Sequence, residues 1–293
     1  MYPVMKQARR FEELLAREQP DGPYAFSTIF DNRTWAARRR SKLKFRLLQL
    51  IDAKLQSILQ EGERVRFVTQ GCGVSFWESY FLSWVVYYLN RRAIVVTNRR
   101  ILLLQISFRN QPRELVAQLR YGAIARVSST LLGNTKLHLG NGRTYVFAYV
   151  PRADRRFLQS LVKWTGDRMG QEHVGFEDLC SHCFAVVEGQ PERCPSCGGT
   201  FKSSLRAALL SLAFPGFGDW YLGHRTVALL EIVMAALVWL AVLMPARDGA
   251  VTLATRLIMA AFVVLFVHGA DALTTRHIAR KGLYPDRSPS RAT

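Results

Sequence analysis

Two apolar runs near the C-terminal end of the sequence restrict its fold more than any other feature. Residues 227–244 and residues 250–270 contain few charged side chains, and residues 245–249 between them are typical of a turn. Each run is close to the roughly 20 apolar residues that an α-helix needs to cross a bilayer, where the backbone must satisfy its own hydrogen bonds. The pattern predicts a helical hairpin that crosses a membrane twice.

The segment ahead of this hairpin, residues 205–223, is also apolar, but residues that interrupt helices occur within it. These are Pro215, Gly216, Gly218 and Asp219. We interpret the segment as an interfacial or re-entrant element that leads into the hairpin, and a third membrane span is the alternative.

Basic residues flank the hairpin on the side of both chain ends. Arg225 precedes the first run, and Arg276, Arg280, Lys281 and Arg287 follow the second. Because Lys and Arg collect on the cytoplasmic side of membrane helices, we expect both termini in the cytoplasm. The expected location is the inner (cytoplasmic) membrane of a bacterium, with the chain as a multi-pass protein.

Ionisable residues inside the hairpin are candidate functional positions, since charge within a bilayer is costly. They are Glu231, Arg256, His268 and Asp271. Reflecting one run onto the other about residue 247 places Arg225 near Asp271 and Glu231 level with residue 263. We expect these side chains to pair or to snorkel, because a proton or ion relay would need acidic groups stacked at mid-membrane.

Four cysteines lie ahead of the membrane segment in the spacing C-x₂-C-x₁₀-C-x₂-C. They are Cys180, Cys183, Cys194 and Cys197. Each pair can form a turn that directs two thiolates at one point, and two such turns complete the tetrahedral sulfur shell that Zn²⁺ prefers. We therefore predict a structural zinc ribbon at residues 176–202, with a rubredoxin-like iron site or redox-active thiols as alternatives.

Residues 61–168 change to short β-like runs. Residues 97–100 and the Gly140-Asn141-Gly142 triplet are predicted turns between strands, since Asn and Gly tolerate the left-handed conformation of tight turns. Pro151 opens a predicted amphipathic helix that closes the region.

Aromatic residues form two groups that are candidates for the membrane–water interface, where Trp and Tyr rings are enriched. The candidates are Trp77, Tyr80, Phe81, Trp84, Trp220 and Tyr221. The first four belong to a predicted short helix, residues 75–89, for which burial in the core of the domain is the alternative.

Two stretches resemble known families. Residues 93–104, AIVVTNRRILLL, with about seven short strands and a closing helix, resemble the bacterial PH-like and GRAM-like domains. That resemblance implies a small, partly open β-barrel that binds lipid or protein and has no catalytic role. Residues 205–275 are similar to the TM2 domain, a two-helix membrane module, and the matching positions are Gly218, Tyr221, Leu222, Gly223 and Asp271.

The two ends of the chain are basic. Residues 1–60 have a helical pattern that includes the run AARRRSKLKFR, which is either a solvated helix face or a contact with a membrane surface. Residues 276–293 are predicted to be a disordered tail. The sequence as a whole predicts a multidomain α+β membrane protein with N-terminal helices, a PH-like barrel, a zinc ribbon and a transmembrane hairpin.

The net charge of +18 favours anionic partners, either lipid head groups or nucleic acid. No catalytic motif occurs, so we expect a non-enzymatic membrane adaptor that binds anionic lipids or a protein, and a homo-oligomer stays open. Nucleic-acid binding is an alternative, although the aromatic residues cluster beside apolar runs and not among basic ones. The second alternative is a subunit of a transporter or channel. Such a protein would have to be an oligomer, because the two spans of one chain are too few to form a pore.

Overall fold

A computed structural model of the protein divides into two compact units, Met1–Leu179 and Cys180–Thr293. The residues that the structure describes are 3–74, 87–130, 134–166, 175–244 and 252–286.

The first unit begins with helices that pack through aromatic rings. They are α1 (Pro3–Gln7), α2 (Phe11–Ala16), α3 (Phe26–Ile29) and α4 (Trp35–Ile58). The ring centroid of Phe30 lies 5.5 Å from that of Phe11 and 6.3 Å from that of Phe45, which joins α2 to α4. The hydroxyl of Thr34 accepts a hydrogen bond from the amide of Ala37 and so caps the first turn of α4. The basic run of the sequence therefore belongs to a long helix.

Within the described residues, nine strands form one antiparallel sheet in the order β5-β6-β7-β1-β2-β3-β4-β8-β9. They are β1 (Val65–Val74), β2 (Arg91–Thr97), β3 (Arg100–Ile106), β4 (Pro112–Arg120), β5 (Ile124–Ser129), β6 (Thr135–Leu139), β7 (Thr144–Ala148), β8 (Phe176–Leu179) and β9 (Val186–Val187). The mixed α+β character that the sequence predicted is present, with an open antiparallel sheet. Strand β8, which the sequence did not predict, extends this sheet by pairing with β4.

The local predictions within this region are confirmed. Strands β2 and β3 form the expected hairpin, with Val96 opposite Ile101. Strands β6 and β7 pair across the glycine turn, where Gly142 has a φ of +78°. The closing helix, α5, spans Arg152–Gly166. Its Phe157 ring stacks on Phe67 with the centroids 4.4 Å apart, which fixes the helix against the sheet.

The N-terminal helices and the sheet are parts of the same unit, although the sequence treats residues 1–60 and 61–168 as separate domains. The amide of Ala25 donates to the carbonyl of Val65 over 2.9 Å, and the amide of Val65 donates to the carbonyl of Pro23 over 2.8 Å. A short strand-like bridge therefore joins the helical region to the start of β1.

A buried ion pair lies where α4, the β2–β3 hairpin and β4 meet. The guanidinium of Arg100 donates to both carboxylate oxygens of Glu63 over 2.9 and 2.8 Å, and it also donates to the carbonyl of Ile58. Burial alone would raise the pKa of Glu63, but hydrogen bonds from Arg100, the Gln60 amide and Thr97 outweigh it and lower this pKa. The pair is thus fully hydrogen-bonded in a place that excludes water.

We predict that Arg100→Leu destabilises the first unit by about 3–5 kcal/mol, because it leaves Glu63 buried without its partner. The contribution is present above the ordinary Glu pKa of 4.5 and is lost as the pH falls through the lowered pKa of the folded state. Urea unfolding of residues 1–179 at pH 7 and at pH 3 measures both effects. Arg99→Leu is the matched control, since Arg99 is exposed, and an equal loss in both variants would contradict the prediction.

The second unit contains two helical stretches that are long and apolar enough to cross a membrane, by length and composition alone. They are Arg225–Leu243 and Leu253–Ala279. Its helices are α6 (Ser204–Ala213), α7 (Phe217–Leu222), α8 (Arg225–Leu243), α9 (Leu253–Phe262) and α10 (Gly269–Ala279), with a π-helical segment, Val263–His268, between α9 and α10. A hydrogen bond of 2.9 Å from the Trp239 indole to His268 joins the two long stretches.

Helix α6 has ten residues and is therefore about 15 Å long, half the roughly 30 Å of a hydrocarbon core. This length favours the interfacial or re-entrant interpretation over a third span. Gly218 allows close packing here, because a Cβ atom on it would overlap the Ala207 carbonyl oxygen and the Ser211 hydroxyl. The Ser211 hydroxyl is also 3.0 Å from that of Thr275, so α6 packs directly on α10.

Residues 276–286 are ordered, which corrects the prediction of a disordered tail for 276–293. Helix α10 continues to Ala279, and the side chains of Leu283 and Tyr284 are buried. Backbone pairing of Pro285 with Phe201 provides the physical reason, since it gives this segment hydrogen-bond partners that its composition does not reveal. Residues 287–293 lie outside the described residues.

Candidate metal centre

The two cysteine pairs fold into turns with the same hydrogen-bond pattern. In each turn the carbonyl of the first cysteine accepts from the amide four residues later, and its own amide donates to the carbonyl five residues later. The four bonds are Phe184 N to Cys180 O (2.9 Å), Gly198 N to Cys194 O (2.9 Å), Cys180 N to Ala185 O (2.9 Å) and Cys194 N to Gly199 O (2.8 Å). The repetition of this pattern presents the two pairs of thiols in an equivalent way.

The residue after each pair adopts the left-handed conformation. Gly198 has a φ of +71°, which costs glycine little. Phe184 occupies the equivalent position of the first pair with a φ of +59°, a conformation that costs a residue with a Cβ roughly 1–2 kcal/mol. The turn geometry is thus retained in the first pair against a local backbone preference, as is common where a site imposes a conformation.

The four sulfur atoms lie close together in a geometry that fits one metal ion. Cys180 Sγ is 3.8 Å from Cys197 Sγ, Cys183 Sγ is 3.8 Å from Cys194 Sγ, and all four sulfurs lie within 4.8 Å of one another. Metal–sulfur bonds of about 2.3 Å in a tetrahedron separate neighbouring sulfurs by about 3.8 Å. The four cysteines could therefore bind a metal ion.

The electrostatic environment of the sulfurs differs between positions. Burial raises the pKa of the Cys180 thiol to about 12. Burial acts on Cys194 in the same direction, but hydrogen bonds from the amides of Cys197 and Ser196 outweigh it and lower its pKa to about 7. The amide of His182 also donates to Cys180 Sγ over 3.4 Å. These amides stabilise thiolate charge in the manner of the outer partners of metal sites.

The side chain of His182 does not join the cluster, although it lies within the first pair. Its ring packs on Gly199, where a Cβ atom would come within 3.0 Å of its Cγ. Among the described residues the cluster at this site consists of the four cysteines. A ligand set of four sulfurs leaves no coordination position for water, so it predicts a structural role.

The cysteine cluster packs against residues 283–286, which follow the second long helix. Cys180 and Cys194 pack with Val187, Phe201 and Leu283 in one apolar core. The amide of Lys202 donates to the carbonyl of Tyr284 over 2.8 Å, and the amide of Asp286 donates to that of Thr200 over 2.9 Å. The cysteine turns and residues 283–286 are therefore one packed element of the second unit.

The predicted interface aromatics are described only in part. Trp220 is 53% exposed on α7. Tyr221 is half-buried, accepts a hydrogen bond at its carbonyl from the Lys202 ammonium, and has its hydroxyl 3.3 Å from the Ser203 amide. Tyr221 thus contacts the residues that link the cysteine turns to α6. The other four predicted aromatics, Trp77, Tyr80, Phe81 and Trp84, lie outside the described residues.

The structure changes the expected arrangement of the ionisable residues in the hairpin. One carboxylate oxygen each from Asp219, Glu231 and Asp271 lies within 4.8 Å of the others, whereas the sequence placed Glu231 level with residue 263. The π-helical segment Val263–His268 widens the second helix before Asp271. Aligning the two runs about residue 247 assumed regular α-helices and therefore could not account for it. Sequence reasoning missed Asp219 as a site residue, although an Asp within an apolar stretch was a usable signal. Arg256 lies apart, in the first turn of α9.

Comparison of the chain with protein-family models gives no match, and comparison with curated proteins gives none either. The likenesses of residues 61–165 to PH-like domains and of residues 205–275 to the TM2 domain therefore stay proposals. What the residues can do follows from their own geometry.

We predict that Cys194→Ser weakens metal binding by more than about 100-fold, because it removes one of the four ligands. Loss of a group that only hydrogen-bonds to a ligand already costs roughly 10- to 100-fold in affinity. Metal binding supplies folding free energy to small metal-bound elements, so the second unit should also unfold at a lower temperature. Metal content of the purified full chain and its thermal unfolding in detergent measure the two effects.

Cys72→Ala is the matched control for this prediction. Cys72 lies in β1 of the first unit, so its loss changes the thiol count without touching the cluster. Equal metal content and equal stability in Cys194→Ser and Cys72→Ala would contradict the assignment of the four cysteines as ligands.

Proposed function

We propose that this protein is a non-enzymatic membrane adaptor. In this proposal, the two long helices anchor the chain in a membrane, the four cysteines hold a structural Zn²⁺ as a zinc ribbon, and the first unit binds anionic lipid head groups. The observation that carries the proposal is the exposure of apolar side chains around both long helices.

The surfaces of α8, α9 and the segment after α9 are apolar and exposed. Leu229 and Met234 on α8 are 58% and 55% exposed, and Ile258 and Leu265 on the second stretch are 70% and 69% exposed. Soluble monomers seldom expose a continuous apolar patch of more than a few hundred Å². A lipid environment supports this surface, because the hydrocarbon core of a bilayer replaces the water that such side chains avoid.

The zinc proposal rests on the sulfur geometry and on the position of the cluster. Cytoplasmic thiols stay reduced, so paired cysteines there are typical of metal sites, and a saturated tetrahedral sulfur set suits Zn²⁺. The ribbon contacts both ends of the membrane segment through Tyr221 before α8 and Tyr284 after α10. We propose that it holds these two ends together as a rigid base and takes no part in catalysis.

The lipid proposal rests on one face of α4 in the first unit. Trp35 is 77% exposed and Leu43 is 57% exposed, and Arg39, Lys42 and Arg46 are exposed beside them. These residues recur at intervals of three or four positions, which places them on one side of a helix. A basic helix face that also exposes Trp and Leu is typical of contact with an anionic membrane surface. The proposed PH-like character of the following sheet agrees with a binding role.

We predict that residues 1–179 bind vesicles that contain anionic lipid and do not bind neutral ones. The double variant Trp35→Ala, Leu43→Ala should weaken binding by about 10-fold or more, since it removes the apolar part of the contact. Co-sedimentation at low and high salt measures the binding.

Phe108→Ala is the matched control, because Phe108 is also an exposed aromatic residue, 64% exposed, but follows β3. An equal loss in the control would contradict the assignment of this face. If residues 1–179 ignore vesicles and bind DNA or RNA with an affinity that falls steeply with salt, the nucleic-acid alternative replaces the lipid proposal.

A further inference from the structure

Three carboxyl groups meet at the crossing of α7 with the two long helices. Asp219 belongs to α7, Glu231 lies in the second turn of α8, and Asp271 lies in the first turn of α10. One oxygen from each lies within 4.8 Å of the others. Neither the structural zinc proposal nor the lipid proposal uses these residues.

Hydrogen bonds fix two of the three carboxylates. Asp219 Oδ2 accepts from the Thr275 hydroxyl over 3.2 Å, and Asp271 Oδ2 accepts from the Gly216 amide over 3.0 Å. Asp219 is 1% exposed, and among the described residues no N–H or alcohol O–H group donates to its Oδ1 or to Glu231 Oε2, since the Asp219 and Glu231 carboxyl groups interact with each other. Buried carboxylates this close repel one another unless a proton or a cation lies between them.

The neighbouring imidazole does not provide that charge. His268 Nε2 accepts the indole N–H of Trp239 over 2.9 Å, which leaves no proton on this nitrogen. Its Nδ1 lies 2.9 Å from the carbonyl oxygen of Leu212 and donates to it. Both ring nitrogens of His268 therefore have hydrogen-bond partners other than the three carboxylates.

Basic side chains do not neutralise the cluster either. Within the part of the chain that the structure describes, no Lys, Arg or His forms an ion pair with Asp219, Glu231 or Asp271. Arg225 and Arg276, the arginines of α8 and α10, are included in this statement. The cluster therefore has three acidic groups with an oxygen of each within 4.8 Å of the others, and no basic ion-pair partner among the described residues.

We propose that Asp219, Glu231 and Asp271 together bind one hard divalent cation of the Mg²⁺, Ca²⁺ or Mn²⁺ class. Carboxylate oxygens are the ligands that these ions prefer, in contrast to the thiolates of the cysteine cluster. The ion offsets two of the three negative charges, and the Gly216 amide and the Thr275 hydroxyl stabilise the remainder. The Ser211 hydroxyl, 3.0 Å from that of Thr275, completes a polar wall.

The position of the site gives the ion a mechanical role. It joins α7 to α8 and α10, and it follows the π-helical segment Val263–His268, a feature that is frequent at functional sites. Binding of the ion thus stabilises the crossing of the helices by an amount that grows with the logarithm of its concentration relative to its Kd. The second unit then has two cation sites of different chemistry, one for a soft-ligand metal and one for a hard ion.

Titration of the full chain in nanodiscs with Mn²⁺, followed by electron paramagnetic resonance of free Mn²⁺, tests this proposal. We expect one saturable Mn²⁺ site per chain, which Mg²⁺ or Ca²⁺ displaces. Asp271→Asn and Glu231→Gln should each weaken Mn²⁺ binding by about 10-fold or more. Glu188→Gln is the matched control, because Glu188 is an exposed acidic residue of the same unit, and it should bind Mn²⁺ as the unaltered chain does.

Zinc content reports whether each variant is folded, since the cysteine cluster shares none of these residues. Variants that bind Mn²⁺ as tightly as the unaltered chain would overturn the proposal. Failure of the unaltered chain to bind Mn²⁺ would also overturn the proposal. This measurement does not depend on whether the two variants fold. A third result would also contradict the proposal: the variants are at least as stable as the unaltered chain, and added Mn²⁺ changes the stability of neither. Protons, and not a cation, would then neutralise the cluster.

Discussion

A charge that leaves water must meet an opposite charge or a set of hydrogen bonds, and this constraint shapes both units of the protein. In the first unit Arg100 satisfies Glu63 with two short hydrogen bonds, and the pair ties α4 to the β2–β3 hairpin. In the second unit the amides around the four cysteines are arranged to stabilise thiolate charge. Asp219 and Glu231 meet each other and not a basic side chain among the described residues, and the proposed cation would satisfy the same constraint.

The second unit combines the proposed anchor with the proposed metal centre. Residues 283–286 follow the second long helix and pair with residues 200–202, which come directly after the cysteine turns. Tyr284 is central to this contact, since its carbonyl accepts from Lys202 while its hydroxyl lies 3.1 Å from His224 at the start of α8. A metal at the cysteines would therefore stabilise the segments next to both long apolar helices, which agrees with a structural role.

Features that depend on neighbours in the sequence were predicted well. The turn at residues 97–100, the Gly140-Asn141-Gly142 turn and the helix after Pro151 follow from local backbone preferences, and all three are present. Strand β8 was not predicted, because its pairing with β4 joins segments that are far apart in the chain. The ordered segment after α10 was missed for the same reason, since its partner is Phe201.

The sequence by itself determined the four cysteines as a set and the presence of two apolar helices long enough to cross a membrane. Ligand spacing within a C-x-x-C turn and the run length of apolar residues are local properties that do not depend on the rest of the fold. Only the tertiary structure brought Asp219, Glu231 and Asp271 together. Their meeting requires the close approach at Gly218, the fold of α7 against α8, and the π-helical turn before Asp271. These are long-range packing effects, because the shape of each helix determines which residues of a neighbouring helix it contacts.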